Sequence, residues 1–291
     1  MANLKEIRNR ITSVGSTMQI TSAMKMVSAA KLKKAQDAIT QMRPYAVKLQ
    51  DILSNLSSSL DLSENAYSEE REIKNVLIVG ITSNRGLCGG FNNNIIKQVN
   101  FLINGEYKNV NTKVLCLGKK IKDSFKKTDN YYITEELAEV EDIFAKLTFS
   151  NSAIITNEIM KSFVSNEFDK VVVVYNSFIN AASQDVKSEQ FLPILPPVLT
   201  GEESVGDYIF EPSKEEIVLD LIPKSLKIQF FKGLLDSNAS EHGARMTAMH
   251  KATDNAKEMK KQLTIGYNKA RQAAITSEIL EIVGGAEALK N

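Results

Sequence analysis

Cysteine and histidine are scarce in this chain of 291 residues, with two of each. Cys88 and Cys116 form no ligand-spaced pair, so neither a disulfide framework nor a zinc site is expected. His242 and His250 lie eight residues apart on one predicted helix, which does not fit an H-E-x-x-H metal site; they read as helix-surface or interface histidines. Long hydrophobic runs are missing as well. The most apolar stretches, Val76–Ile81 and Val171–Tyr175, have the length of buried strands and fall far short of the ~18 residues that span a bilayer. The start, Met-Ala-Asn-Leu-Lys-Glu, has no apolar signal core and is not the Arg-rich, acid-free start of a transit peptide. Together these shortages favour a reducing cytoplasm. The net charge of +1 names no partner, while 43% hydrophobic residues suffice for a buried core.

What is present falls into three regions. Stepping alternately three and four residues from Leu4 to Leu56 visits 16 positions, of which 13 are apolar. The chain-wide frequency would give about 7, so residues 1–57 are predicted to be one long helix carrying a coiled-coil seam. The three failures, Thr21, Lys25 and Ser28, are consecutive, and Ile20, Met24 and Val27 supply an apolar row one step earlier, as a local phase change would. Pro44 is expected to kink or break this helix. Residues 58–74, rich in serine and acids, read as a solvated linker.

Residues 75–210 alternate strand and helix, which implies a mostly parallel sheet with helices on its faces. Strands are predicted at Val76–Thr82, Lys113–Leu117, Tyr131–Thr134 and Lys170–Tyr175, with helices from about Asn92, Lys119 and Asn151; residues 177–210 read as irregular or hairpin-like. Residues 211–291 return to helix. Ser213 and Glu216 fit a capping box, Pro223 should kink or restart the helix, and a second seam runs from Met249 through Ala252, Ala256, Met259, Leu263, Gly266, Ala270, Ala273, Ser277 and Leu280 to Gly284. A helix of some 60 residues is ~90 Å long, more than the inserted domain could cover. The two terminal helices are therefore expected to bury their stripes on each other, antiparallel, rather than on the α/β domain.

The loop from Ser83 to Asn92 follows a strand and opens a helix, the place for a phosphate cradle. Its glycines fit neither G-x-G-x-x-G nor G-x-x-x-x-G-K-[ST], so a tight turn and close helix–sheet packing are weighed against a ligand site. Charge is uneven. Residues 1–43 carry a net +6 and residues 242–272 a net +5, while Glu135, Glu136, Glu139, Glu141 and Asp142 form an acidic patch. A basic helical pair could meet nucleic acid or an acidic protein surface, or simply be solvated.

Several motifs carry a resemblance to a known family. Lys5-Glu6-Ile7-Arg8, the run from Gln19 to Leu32, and Arg43-Pro44-Tyr45 resemble the N-terminal helix of F-type ATP synthase gamma subunits. Arg85-Gly86-Leu87-Cys88-Gly89 is similar to the turn that opens their central domain, with Asn84 where that family usually has aspartate. The closest likeness is Ser240–Met249, Ala252–Ala256, Tyr267–Thr276 and Glu281–Ala286; from about 100 to 235 the likeness is one of pattern.

The resemblance implies a long antiparallel coiled coil of N- and C-terminal helices with an inserted Rossmann-like α/β domain. It implies a rotor shaft, one copy per complex, turning inside a hexamer of alpha and beta subunits beside epsilon and resting on the membrane c ring. The shaft would couple proton flow to ATP synthesis or hydrolysis on beta without a catalytic group, cofactor, metal or nucleic acid of its own. It also implies a peripheral position on the cytoplasmic face of a bacterial inner membrane. Carried over by residue, it puts Met24, Arg245, Gln272, Thr276 and Glu278 against beta subunits, adds Lys31, Lys33, Lys34 and Lys257 as charged contacts, and makes Ile279–Leu289 the tip. Arg245 fits neither seam nor cap and is expected at the surface, where substitution changes stability little. A nucleotide- or flavin-binding enzyme with helical arms and a nucleic-acid-binding coiled coil remain the rival readings.

Overall fold

The computed structural model describes residues 4–57, 65–137, 140–194 and 214–288. The elements are α1 (Leu4–Ser57), β1 (Asn75–Ile81), α2 (Phe91–Asn104), β2 (Asn111–Leu117), α3 (Lys119–Phe125), β3 (Tyr131–Tyr132), α4 (Phe149–Val164), β4 (Lys170–Phe178), β5 (Gln184–Leu192) and α5 (Lys214–Ala288). The chain divides into two compact units, one of Met1–Ser28 with Met246–Asn291 and the other of Ala29–Arg245. Both α1 and α5 run helical through their prolines, Pro44 and Pro223, so neither breaks its helix as expected. Ser213 of the expected capping box, the acidic side chains of Glu139, Glu141 and Asp142, and Leu289 lie outside the described residues.

The larger unit is built on a five-stranded sheet in the order β3-β2-β1-β4-β5. β1 pairs in parallel with β2 and β4, and β2 with β3; β5 returns antiparallel along β4, a strand inside the segment read from sequence as irregular or hairpin-like. β1, β2 and β4 are buried on both faces, which is why they read as near-continuous apolar runs. Alternate residues serve opposite layers. Val76, Ile78, Val114, Cys116, Val172 and Val174 meet Ile95, Val99 and Leu102 of α2 and Ile121 and Phe125 of α3. Leu77, Val79, Leu115, Val171 and Val173 meet Ile155, Ile159 and Phe163 of α4.

That second layer also contains Ile222, Leu226, Phe230 and Leu234 of α5. The expectation that the terminal helices pack on each other and not on the α/β domain is therefore corrected for residues 222–234 of α5. Four buried apolar side chains there contribute ~1.5–3 kcal/mol each, more than an exposed seam would give. α1 contributes Leu32, Ala35 and Leu49 as buried residues of the same unit.

In the smaller unit α1 and α5 are antiparallel neighbours. Thr21 meets Thr253, Lys25 meets His250, and Gly15 lies 3.6 Å from the Lys260 ammonium, measured from where its Cβ would stand. Burial along α1 follows the predicted stepping, and it does so through Thr21 and Ser28, which are buried, while Ile20 and Val27 are exposed. No phase change occurs. The seam stays in step because its polar members find partners. Thr253 donates to the Thr21 hydroxyl at 2.8 Å, Thr21 donates on to the Met18 carbonyl at 3.1 Å, and Ser28 donates to the Met24 carbonyl at 2.8 Å. On α5, Met249 and Ala256 are buried and Ala252, Leu263, Gly266 and Ala270 half-buried, but Met259 is exposed and Lys260 takes its place beside Gly15. From 271 to 287 every residue of α5 is exposed.

Two glycines admit close neighbours at the C-terminal ends of the strands. A Cβ on Gly118, whose φ is +103°, would run into the Thr82 carbonyl; one on Gly80 would run into the end of the Ile121 side chain and touch Val99. Gly118→Ala should therefore lower unfolding free energy by about 2–3 kcal/mol and Gly80→Ala by about 1, with unchanged urea m-values. Equal losses in urea titration would contradict the assignment of backbone strain to Gly118.

Candidate functional site: a buried arginine and the loop it holds

The loop after β1 satisfies its own polar groups. The Ser83 amide donates to Asn92 Oδ1 at 2.9 Å, and the Ser83 hydroxyl donates to the Arg85 carbonyl at 2.6 Å. Asn92 Nδ2 donates to the buried Cys88 sulfur at 3.2 Å. The first turn of α3 is capped by two side chains: Asn84 Oδ1 accepts from the Lys119 amide at 2.9 Å, and Thr82 Oγ1 from the Ile121 amide at 3.1 Å. The Ser83 amide in the loop, and the Lys119 and Ile121 amides at the start of α3, are thus already paired within the protein. The glycines accordingly serve the turn, with Leu87 and Gly89 at φ 64° and 60°. Asn84, placed where the family usually has a carboxylate, performs the capping with its amide oxygen. A recess between β4, β5 and α5, lined by Tyr175, Glu189, Phe230 and Gly233 among others, measures only about 10 Å³, room for roughly one water.

Arg245 is 8% exposed, so the expected surface position is wrong. Its Nη1 donates to Glu241 Oε1 at 2.7 Å and lies 3.3 Å from His242 Nδ1; Nη2 donates to the Arg85 carbonyl at 3.1 Å and Nε to the Gly86 carbonyl at 3.3 Å. The guanidinium fork thus closes the glycine loop onto α5. The flanking motif docks the same helix. Ser240 donates to the Asn176 carbonyl at 3.0 Å, and Gly243 lets Ala181 approach so closely that a Cβ would stand 3.2 Å from its carbonyl.

Burial shapes the neighbouring titrations. Desolvation raises the Glu241 carboxyl, with Arg245 opposing it. Desolvation, with Arg245 and then Lys31, pushes His242 down to about 4. Both shifts disfavour the charged form, through desolvation first; Arg245 opposes the shift at Glu241 and reinforces it at His242.

The other residues carried over from sequence do not converge. Met24 is half-buried on α1; Lys257, Gln272, Thr276 and Glu278 are exposed on α5, all in the smaller unit. Lys31, Lys33 and Lys34 are exposed in the larger unit, Lys33 paired with Asp37 at 3.0 Å. Sequence reasoning missed Glu241 and His242 as partners of Arg245, though the four-residue spacing of Glu241 and Arg245 is a helical ion-pair signal. It also missed that Ile20, Met26 and Val27 on α1 are exposed.

Residues 3–289 match the family model described as ATP synthase. The chain is 62% identical over its whole length to the ATP synthase gamma chain of Flavobacterium psychrophilum, covering all of that protein. It belongs to the ATP synthase gamma-chain family. The gamma chain of Flavobacterium johnsoniae is 61% identical over 99% of both chains. Among solved structures, the chain resembles one in the Tetrahymena thermophila mitochondrial ATP synthase central stalk and c ring, at 25% identity and TM-score 0.57 over 80% of this chain and 99% of that one. The fold is shared with a chain of the Euglena gracilis mitochondrial ATP synthase, at TM-score 0.65 and 21% identity over 98% and 94%. Among the described residues no helix is long and apolar enough to cross a membrane.

Arg245→Ala would strand the Glu241 carboxylate and two loop carbonyls, and should destabilise the chain by about 3 kcal/mol at neutral pH. The deficit should shrink in acid, where the orphaned carboxyl takes a proton. His242 acts with the opposite sign. Its depressed value means stability that is complete above about 6.5 and lost as pH falls toward about 4, so His242→Gln should flatten that slope in denaturant titrations across this window. An Arg245→Ala variant as stable as the parent would show that the clasp contributes nothing.

Proposed function

We propose that the chain is the central-stalk rotor of an F-type ATP synthase, and that its terminal helices act inside a ring of alpha and beta subunits. The observation that supports this most directly is the end of α5. Residues 271–287 are exposed along every face, with Ile279, Leu280, Ile282 and Val283 among them. A lone helix of this length is marginal in water and gains nothing from exposed apolar side chains, unless another protein surrounds it. In this reading Gln272, Thr276 and Glu278 face beta subunits, Met24 and Lys257 do so on the paired helices, and the residues from Ile279 onward sit in an apolar collar.

The rotor needs no catalytic group. Its asymmetric surface stabilises a different conformation of each catalytic subunit, because a partner shifts an equilibrium only by its differential contacts. Lys31, Lys33 and Lys34 supply charge to an acidic surface on beta, and the exposed Ile20, Met26 and Val27 supply apolar contact. Arg245 takes another part here: it holds the glycine loop in place and reaches partners through that loop. The partners are alpha, beta, epsilon and the c ring, and the chain is peripheral, on the cytoplasmic face of a bacterial inner membrane.

Native chain extracted from membranes in mild detergent should co-purify with these subunits, and recovery of the chain alone would count against the assignment. Charge reversal at exposed positions separates coupling from folding. Lys33→Glu with Lys34→Glu should leave the melting temperature of the assembled complex within about 2 °C. It should also lower the ratio of proton pumping to ATP hydrolysis several-fold in inverted vesicles. An unchanged ratio would remove these lysines from the contact surface.

A further inference from the structure

We infer that His250 is a proton-operated switch of hydrogen-bond partner, joining α5 to α1 through Lys25 when its ring is neutral and turning to Asp254 of its own helix when the ring is charged. The geometry allows only one of the two at a time. Lys25 Nζ lies 3.4 Å from His250 Nδ1, and Asp254 Oδ2 lies 3.4 Å from the same nitrogen. A lysine ammonium has donors and no acceptor, and an ionised carboxylate has acceptors and no donor. A bare Nδ1 can therefore accept from Lys25 but offers nothing to Asp254, whereas a protonated Nδ1 can donate to Asp254 and turns an N–H toward another cation.

The position gives this exchange a consequence. Lys25 occupies a half-buried step of the α1 seam, between the buried Thr21 and Ser28, where an apolar side chain would ordinarily hold the helices together. One level along, Thr253 and Thr21 are tied by hydroxyl groups that do not titrate in this range. The ionisable groups around the ring are Lys25 from α1 and, from α5, Asp254 with Lys251 beside the ring in the chain. Taking up one proton from solvent thus exchanges a contact between helices for a contact within α5. The pairing loosens at this level as acidity rises.

The test uses the full chain labelled with ¹⁵N-histidine. Its two histidines give two sets of ring signals, and His242→Gln, which removes one set, assigns the other. The neutral His250 ring should be the tautomer with Nδ1 bare and Nε2 protonated. Lys25→Met should let the tautomers mix, whereas Lys25→Gln, which keeps a neutral donor, should preserve the tautomer. A neutral ring protonated at Nδ1, or a single tautomer that Lys25→Met leaves in place, overturns the proposal.

Discussion

A permanent positive charge sits at 8% exposure in the larger unit, and the fold around it is arranged to keep that charge satisfied. An unpaired buried guanidinium would cost several kcal/mol, and it cannot escape by giving up its proton. Glu241 supplies the counter-charge from one turn away, and the Arg85 and Gly86 carbonyls supply the acceptors. For both carbonyls to turn toward α5, the loop must fold back sharply, which is why Leu87 and Gly89 take positive φ. Leu87 meets that cost with its side chain in solvent. The Ser83, Cys88 and Asn92 contacts then fill the inside of the turn, and Asn84 and Thr82 spend their free oxygens on α3. A loop that resembles a phosphate cradle in sequence thereby turns its Ser83 amide and its Arg85 and Gly86 carbonyls to the protein's own groups.

A different balance holds the paired helices of the smaller unit. Their seam is thin, with small residues on α5 and a polar stretch on α1, so apolar burial alone gives less cohesion than a leucine seam would. Hydrogen bonds compensate in part, each adding roughly 1 kcal/mol net. The benefit of small residues is close approach, and beside Gly15 the end of the Lys260 side chain comes within ordinary contact of where a Cβ would stand. A slim pair with exposed Ile20, Met26 and Val27 leaves its apolar contact area available to other chains.

Much of this was legible in sequence. The stepping of α1 from Leu4 to Leu49 matches its observed burial, and the runs Val76–Ile81 and Val171–Tyr175 became the central strands, because periodicity and apolar length are local properties. The misreadings share a cause. Thr21 and Ser28 were read as breaks in the seam because hydropathy cannot see that Thr253 and the Met24 carbonyl answer their hydroxyls. Arg245 was placed at the surface because its carbonyl partners lie about 160 residues away in the chain. Pro44 and Pro223 read as breakers in sequence, yet both long helices run through them. Residues 222–234 of α5 read as part of the helix pair, since an apolar stripe does not say whether a helix or a sheet will cover it.

The extent of exposure along α5 follows from simple register. Thr253 faces Thr21 and His250 faces Lys25, so facing positions on the two helices sum to about 275. α1 begins at Leu4, which places its last partner near residue 271. That is where burial on α5 ends, and 271–287 continues with no facing helix among the described residues. A helix shortened to match its partner would have avoided this exposure. This one continues for more than four turns with isoleucines, leucine and valine along it, and those side chains find no cover within the described chain. The apolar residues at its end are therefore uncovered among the described residues, and the register fixes where that exposure begins.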